Sequence, residues 1–254
     1  MKGLKAVLVL LMLPLFLAAL WSVSLRWPMP RLLPSVWTLR WWKLVFSPES
    51  SAFRSLLTSG LIGLLASAFS ILLGLPASRA LAQETPWRRK ALRLFFLAPL
   101  AVPAVGYVFG SYRIFLLWGL ADSLAGVVCA HMMQCLPYAV WLLSDVWTGG
   151  VFRREEQARV LGASPFQAFW MVGLPQAAPM LASAFGFCFV VSMSQYLLTL
   201  LVGGGRFVTA SVLLVPLARD GERGVAAALS LLFIALCMAV GKAVSCAEKS
   251  MTSF

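Results

Sequence analysis

The chain has 254 residues, of which 61% are hydrophobic and only 12% are charged, and its mean hydropathy is +0.87. A soluble domain carries about a quarter charged residues, so this composition excludes a soluble globular fold and predicts a membrane protein. The formal net charge of +12 would suit a nucleic-acid partner. The basic residues lie between apolar runs, however, and form no basic face interleaved with aromatic side chains. We therefore expect no nucleic acid and assign the charge to membrane orientation.

Long apolar runs recur along the chain, and each is close to the roughly 20 residues that a helix needs to cross a bilayer. They predict an all-α fold, a polytopic membrane helix bundle of about six transmembrane helices that forms a single domain over residues 1–254. The predicted spans are approximately 6–25, 54–81, 94–120, 124–147, 178–202 and 225–244. The first run is longer than a signal-peptide core of about 7–15 residues, so we interpret it as a retained helix.

Residues 26–50 form a different kind of segment, in which aromatic, basic and proline residues alternate. Its centre contains Trp37, Arg40, Trp41, Trp42 and Lys43. An indole ring is half-buried at a membrane interface while a neighbouring cation reaches water, so the pattern predicts an external interfacial helix. A sugar- or cation-binding aromatic site is the alternative.

The densest basic cluster indicates the topology. It lies between the second and third runs and contains Arg79, Arg88, Arg89, Lys90 and Arg93. A short loop with this many cations marks the cytoplasmic side. With both termini cytoplasmic, twelve of the 21 Lys and Arg residues lie inside. Contact with an anionic lipid or with a soluble partner is an alternative role for the same cluster.

Polar and helix-breaking residues inside the predicted spans are candidates for the lining of a pathway. Pro99 and Pro103 interrupt the third span and free carbonyl groups that need protein or water partners. The fifth span contains Ser192, Ser194, Gln195 and Tyr196. Polar groups at this depth are costly unless they face a cavity or a neighbouring helix, so hydrogen bonds between helices are the alternative. We interpret the lone His131 of the fourth span as such an interhelical residue, with a proton carrier or a ligand as the alternative.

A polar segment, residues 151–175, separates the fourth and fifth runs. Its first part carries charges at helical spacing, with Glu155 and Arg159 placed for an i,i+4 pair on a water-facing helix. Gly162 then supplies a left-handed stop, which a residue with a side chain would resist.

The run after this glycine predicts a new helix start. Ser164 is placed as the N-cap, Pro165 as the first helical residue, and Gln167 as the other half of a capping box. The segment is therefore predicted to form two short helices with a glycine corner between them.

The same segment resembles the cytoplasmic loop of permease subunits of binding-protein-dependent ABC importers. The family pattern is Glu-Ala-Ala, three residues, Gly, nine residues, Ile, one residue and Leu-Pro. The matching positions here are Glu156, Gln157, Ala158, Gly162, Val172, Leu174 and Pro175. Gln157 replaces the first Ala, and Val172 replaces the Ile. The second span and the proline-bearing third span resemble the branch that transports spermidine and putrescine, thiamine or iron(III).

The resemblance implies a type I ABC importer permease fold and a membrane-spanning subunit that forms a solute translocation pathway in the inner membrane of a bacterium. It assigns ATPase coupling to the loop residues Glu155, Glu156, Gln157, Ala158, Arg159, Leu161, Gly162, Ala163, Val172, Leu174 and Pro175. The implied partners are two ABC ATPase subunits, a second permease subunit, identical or related, an extracytoplasmic solute-binding protein and the lipid bilayer. ATP would bind to the partner ATPase, and this chain would bind no cofactor.

The sequence carries no recognisable catalytic pattern of its own. It has no Walker A phosphate-binding motif, no evident nucleophile–base pair and no cysteine spacing for a metal, so we expect a transport subunit and not an enzyme. Two other functions stay open from the sequence. One is an ion-coupled secondary transporter, which needs intramembrane carboxylates and has Asp145 as thin support. The other is a non-transporting membrane scaffold.

Overall fold

The computed structural model describes residues 2–28, 30 and 33–252 of the chain. This part of the chain is mainly helical. In chain order its elements are α1 (Lys2–Ser22), β1 (Ser24–Arg26), β2 (Val36–Trp37), α2 (Arg40–Phe46), α3 (Ser51–Gln83), α4 (Pro86–Ala101), α5 (Ala104–Leu117), α6 (Leu124–Val146), the π-helical turn π1 (Trp147–Val151), α7 (Phe152–Val160), α8 (Pro165–Ala168), a second π-helical turn π2 (Phe169–Gly173), α9 (Leu174–Met193), α10 (Leu197–Val202), α11 (Ala210–Arg219) and α12 (Arg223–Thr252).

Several of these helices have the length and hydropathy of membrane spans. Four described segments qualify: Ser51–Gln83, Leu124–Val146, Pro165–Met193 and Arg223–Cys246. α4 and α5 add a fifth if they are counted as one broken span, since they meet at an angle of 94°. Pro99 lies inside α4 and Pro103 directly precedes α5, where the sequence predicted an interruption. The described residues thus give four or five of the about six predicted spans. The first predicted span coincides with α1 (Lys2–Ser22), of which Met12–Ser22 is a shorter apolar helix among those residues.

The fifth predicted span, 178–202, is displaced in the structure. Its helix begins at Pro165, passes through π2 and continues through α9. At the end of π2 the N–H of Leu174 donates to the carbonyl of Phe169, five residues earlier. A widened turn of this kind accommodates Pro175, which has no N–H of its own, without ending the helix.

The same span ends earlier than predicted because side chains take up its last carbonyl groups. The carbonyl of Val191 accepts hydrogen bonds from the Ser194 hydroxyl at 2.8 Å and from the Gln195 side-chain amide at 3.1 Å. The backbone N–H of Gln195 donates instead to the carbonyl of Ser192 at 3.2 Å. Polar side chains compete in this way with the helical backbone. Residues 194–196 therefore form a break between α9 and α10.

Residues 1–60 and 207–236 form one compact unit. The hydroxyl of Ser59 in α3 accepts a hydrogen bond from the N–H of Ala210 in α11 at 2.7 Å. Around this contact lies a buried apolar cluster of Val45, Ala52, Ala210, Val225, Ala228 and Leu229. Two regions far apart in the sequence thus share one core.

The predicted interfacial segment, 26–50, belongs to this unit. Its helix is limited to Arg40–Phe46, and β1 and β2 pair as a short antiparallel hairpin that the sequence did not predict. The indole N–H of Trp41 donates to the carbonyl of Ser24 at 2.8 Å and fixes α2 against β1. The external, interfacial position of the segment stays a prediction.

Residues 61–206 and 237–254 form the second unit, in which α6 packs along α9. Small residues of α3 allow close packing within it. A Cβ atom at Gly63 would lie 2.8 Å from the ring of Phe189, and one at Gly74 would lie 3.0 Å from the Cβ of Ala139. This second unit contains both candidate functional regions.

Candidate functional site

The first region is the coupling corner, which we define as residues 152–173, from α7 through α8 to π2. α7 ends at a left-handed residue: Gly162 has φ +98°. The N–H of Ala163 donates to the carbonyl of Ala158, and the N–H of Gly162 donates to the carbonyl of Arg159, each at 3.0 Å. Glycine adopts this backbone conformation without steric cost. The predicted glycine stop is confirmed.

The helix start after the corner is also confirmed. The Ser164 hydroxyl accepts from the backbone N–H of Gln167 at 3.2 Å, and the Gln167 side-chain oxygen accepts from the backbone N–H of Ser164 at 2.9 Å. Two otherwise unpaired donors at the helix start are satisfied by this reciprocal arrangement. The direction of the chain after Gly162 is therefore fixed by local hydrogen bonds.

The tip of the corner presents aliphatic side chains to the outside. Val160 is 83% exposed and Leu161 is 88% exposed. A surface groove of about 540 Å³ adjoins them and is lined by Arg153, Glu156, Gln157, Val160 and Leu161. The corner therefore offers an apolar tip beside charged and amide groups.

The remaining predicted coupling residues are spread over different environments. The exposed ones are Glu156, Gln157, Arg159, Gly162 and Pro175, and the partly buried ones are Ala158, Ala163, Val172 and Leu174. Their roles in ATPase coupling stay predictions.

Glu155 differs from the sequence interpretation. Its spacing placed it in an exposed pair with Arg159, but it is 5% exposed and binds Arg79 of α3 instead. Its Oε1 accepts from Arg79 Nη1 at 2.7 Å, and its Oε2 accepts from Arg79 Nη2 at 2.5 Å. The physical reason is that Glu155 faces the helical bundle, where α3 supplies a guanidinium group with two parallel donors.

Aromatic rings surround the same guanidinium group. The Cζ atom of Arg79 lies 4.9 Å from each of three ring centroids, those of Trp147, Phe152 and Phe169. A guanidinium group attracts the faces of aromatic rings at this distance. The indole N–H of Trp147 also donates to the Ser78 hydroxyl at 3.0 Å. We call Arg79, Glu155 and the three rings the Arg79 cage.

A glycine makes room for the carboxylate of this cage. A Cβ atom at Gly173 would collide with Oε1 of Glu155. Gly173 is buried at the end of π2, so the widened turn and the missing side chain together admit Glu155. Larger residues at this position would displace the carboxylate from Arg79.

Sequence reasoning missed Arg79 as a site residue. It assigned Arg79 to the basic cluster that marks the cytoplasmic side. One signal in the sequence could have distinguished Arg79 from the rest of the cluster. Arg79 lies nine positions before Arg88, at the end of an apolar run, whereas the other basic residues follow one another closely. The partner, Glu155, is 76 residues away, and no local pattern links the two.

The second region is a buried hydrogen-bond network across the break at 194–196. His131 of α6 is 1% exposed, and its Nδ1 and Nε2 atoms lie 2.7 Å from the Ser192 hydroxyl and 2.8 Å from the Thr199 hydroxyl. The Thr199 hydroxyl donates to the carbonyl of Gln195 at 2.7 Å. It therefore accepts from Nε2, and for a ring with one proton Nδ1 accepts from Ser192. We call these three side chains the His131 network.

The network ties together the two sides of the break. Ser192 belongs to α9 and Thr199 to α10, so one imidazole ring on α6 holds both helix ends. Of the predicted lining residues, Ser192 is buried and engaged with His131, Ser194 is exposed, and Gln195 and Tyr196 are partly buried. Among the described hydrogen bonds, none joins these four residues to Pro99 or Pro103. Their role as pathway lining stays a prediction.

These features define a multi-pass helical membrane protein with a structured loop corner between two of its spans. The sequence profile described as "Binding-protein-dependent transport system inner membrane component" matches residues 70–245. The chain belongs to this family.

Similar proteins with assigned names are also permeases of transport systems. The Escherichia coli K12 "Inner membrane ABC transporter permease protein YnjC" is 30% identical over 183 residues, which cover 72% of this chain and 34% of that protein. The chain thus spans about a third of the length of YnjC. The Salmonella typhimurium "Putative 2-aminoethylphosphonate transport system permease protein PhnV" is 30% identical and is covered to 86%, over 90% of this chain. The Mycobacterium tuberculosis "Trehalose transport system permease protein SugB" is 30% identical over 67% of this chain and 62% of its own length.

The fold comparison leads to the same class. The crystal structure of a bacterial ABC transporter involved in the import of the acidic polysaccharide alginate contains a chain that aligns with a TM-score of 0.73. The alignment covers 96% of this chain and 93% of that chain, at 18% identity. The expected all-α membrane bundle of the type I ABC permease class is confirmed.

The family also decides between the functions that the sequence left open. The chain is a permease subunit of an ABC importer, a transport subunit and not an enzyme. The ion-coupled transporter and the scaffold are not favoured. Membership implies, in general terms, a separate ATPase and a solute-binding protein as partners, and a multi-pass position in the inner membrane.

Proposed function

We propose that this chain forms one half of a solute translocation pathway and couples it to a separate ATPase through the coupling corner. The observation that carries the proposal is the exposure of Val160 and Leu161 at the end of a locally rigid turn. Aliphatic side chains exposed beside a polar rim are typical of docking surfaces. The glycine stop and the capping box would hold this tip in one orientation for a partner.

The assembly that we propose contains two permease subunits, identical or related, and two ATPase subunits that bind the ATP. An extracytoplasmic binding protein would deliver solute to the outer face. Both termini would lie on the cytoplasmic side, together with the coupling corner. The charge distribution supports this orientation, because the dense basic cluster and the corner then share the inner side.

The pathway itself would be lined near the two irregular points of the spans. One is the bend at Pro99 and Pro103, and the other is the break that follows Ser192 and includes Ser194, Gln195 and Tyr196. Irregular backbone at membrane depth is tolerated where it is buried in protein or lines a water-filled cavity. The exposed hydroxyl-bearing Ser194 is the part of the second group that supports this role most directly.

The solute does not follow from family membership. The names of similar permeases refer to different compounds, 2-aminoethylphosphonate for PhnV and trehalose for SugB. We therefore propose the transport mechanism and no particular solute.

Co-purification of the ATPase with the tagged permease tests the docking role. We expect Leu161→Asp to retain at least about tenfold less ATPase than the wild type, because a charge placed in a docking pocket acts on a binding hot spot. Thr85→Asp is the control, since Thr85 is an exposed residue outside both the corner and the basic cluster. Equal retention by Leu161→Asp and wild type, or no ATPase on the wild type, would contradict the proposal.

A further inference from the structure

We infer that Arg79 is a positioning residue that joins the coupling corner to α3, so that a displacement of the corner displaces α3 with it. The inference rests on the proposed function, because the corner transmits a movement only when an ATPase docks on it. It adds a residue outside the loop to the transmission of that movement and names the helix that receives it.

The backbone connection of the corner to α6 is poorly suited to transmit a movement. The chain passes there through Gly149 and Gly150 of π1, whose backbone angles are not helical, with φ +94° at Gly150. Changes of direction are absorbed at such points, since hinges are a few element-terminal residues that take up large changes of backbone angle. On the α9 side the helix continues through the widened turn π2 into α9. A stiff link from the corner to the α6 side or to α3 must therefore come from side chains.

The Arg79 cage provides a link of that kind. Two parallel hydrogen bonds join Arg79 to Glu155 in the first turn of α7. A bidentate guanidinium–carboxylate pair fixes an orientation as well as a distance, which a single hydrogen bond does not. Because Glu155 is buried, water reaches the pair only from the side of Arg79.

The aromatic rings extend the link to both sides of the corner. Trp147 comes from π1, Phe152 from the start of α7, and Phe169 from the start of π2. All three rings lie at the same distance, 4.9 Å, from the guanidinium carbon. A second bond from α3 runs in parallel, between the Ser78 hydroxyl and the indole of Trp147. The end of α3 is thus attached to both ends of the corner, including π1, the segment at which the corner would otherwise hinge.

The first test compares the assembled complex, reconstituted in proteoliposomes, in four forms: wild type, Arg79→Gln, Arg79→Lys and Arg88→Gln. Two quantities are measured: the ATPase retained per permease, and the stimulation of ATP hydrolysis when the binding protein is added. For Arg79→Gln we expect the stimulation to fall about tenfold, which is the range of a typical coupling between sites. The loss of stimulation should be several times larger than any loss of retained ATPase.

The other two variants control for charge. Arg88 is exposed, and its contact with Glu84 is a long surface pair of 3.8 Å, so Arg88→Gln should keep the wild-type stimulation. Arg79→Lys restores the charge without the planar fork and should recover the stimulation only in part. A residue needed solely to neutralise Glu155 would be rescued fully by lysine, and that result would overturn the inference.

The second test needs neither solute nor partner. Spin labels are placed on the full-length chain, in a cysteine-free background, at the exposed positions Gln83→Cys in α3 and Arg154→Cys in α7. We expect a narrow distance distribution by pulsed electron paramagnetic resonance in the wild-type background and a clearly broader one with Arg79→Gln. An unchanged distribution would overturn the inference.

The two tests separate this inference from the proposed function. If the wild-type complex does not form or is not stimulated, the proposed function fails and the spin-label distances alone decide the role of Arg79. If the wild type is stimulated and Arg79→Gln is stimulated equally, the proposed function stands and the inference fails.

Discussion

The Arg79 cage and the His131 network solve the same structural problem in different chemistry. Each holds an irregular stretch of backbone with one side chain from another helix: Arg79 holds the corner from α3, and His131 holds the break from α6. The cage uses a charged pair at a partly exposed place, where 26% of the Arg79 side chain is accessible. The network lies inside a span and uses hydroxyl groups. Charge is thus used where water still reaches, and hydroxyl partners where it does not.

The comparison also shows what each contact is suited to do. Removing one partner of a bidentate charged pair costs a large free energy, because two charge-assisted hydrogen bonds are lost at once. Hydrogen bonds inside a membrane contribute less, since the unfolded segments find other partners. The cage should therefore hold the coupling corner firmly enough for the corner to move together with α3. The network should make a smaller contribution, which maintains the local conformation of the break at 194–196. The following predictions test that ranking.

The largest effect is expected at the acid of the cage. Glu155→Ala should reduce the free energy of unfolding by about 2–3 kcal/mol, because the partly buried Arg79 loses two charge-assisted hydrogen bonds. Thermal unfolding of the purified permease in detergent measures the change. Glu84→Ala removes a partly exposed carboxylate whose pair with Arg88 is long, 3.8 Å, and should cost less than about 0.5 kcal/mol. Equal effects of the two substitutions would mean that the cage contributes no more than a surface pair.

A smaller effect is expected in the network. His131→Leu should lower the free energy of unfolding by about 1–2 kcal/mol, because the hydroxyls of Ser192 and Thr199 lose a buried partner. A double-mutant cycle with Ser192→Ala should give a coupling energy of roughly 0.6 kcal/mol, the average for hydrogen bonds between membrane helices. Ser194→Ala serves as the control in the same cycle, since the Ser194 hydroxyl donates to the carbonyl of Val191, three residues earlier, and not to His131. A coupling energy near zero for His131 and Ser192 would remove the network as a stabilising contact.

The smallest of the three effects concerns the corner itself. Gly162→Ala should cost about 1 kcal/mol, because φ +98° is unfavourable for a residue with a Cβ atom, although nothing lies within 4 Å of that position. Gly149→Ala is the matched control, with φ −79° and equally open surroundings. Thermal unfolding compares the two variants. A larger loss at Gly149 than at Gly162 would show that backbone strain is not what fixes the corner.

Local features of the site could be predicted from the sequence, and distant ones could not. The glycine stop at Gly162 and the capping box of Ser164 and Gln167 each depend on residues within five positions of one another, and both are present in the structure. The pair of Arg79 and Glu155 depends on how α3 and α7 pack, and the same charges fitted a local pairing equally well. Spacing alone gave Glu155 a partner on its own helix, whereas burial selected the one across the bundle.

The spans show the same division. Their class and approximate places follow from hydropathy, because each run must match the thickness of a bilayer. The break at 194–196 contains no proline or glycine, so no helix-breaking residue in the sequence indicated where α9 ends. It arises from side chains that bind the carbonyl of Val191, and such a choice depends on where the neighbouring hydroxyl groups and His131 lie. Helix ends inside a bundle are therefore harder to predict than the helices themselves.

The hydrogen bond between Ser59 and Ala210 determines when, during synthesis of the chain, the first compact unit can complete its core. Its two ends are separated by 151 residues, so the donor does not exist when the acceptor leaves the ribosome. At about 5–20 residues per second, roughly 8–30 s pass between the synthesis of the first sixty residues and that of the segment that completes their core. During that interval α2 and the start of α3 must be accommodated by lipid or by the insertion machinery. The unit that begins the chain is consequently among the last parts of the protein to be finished.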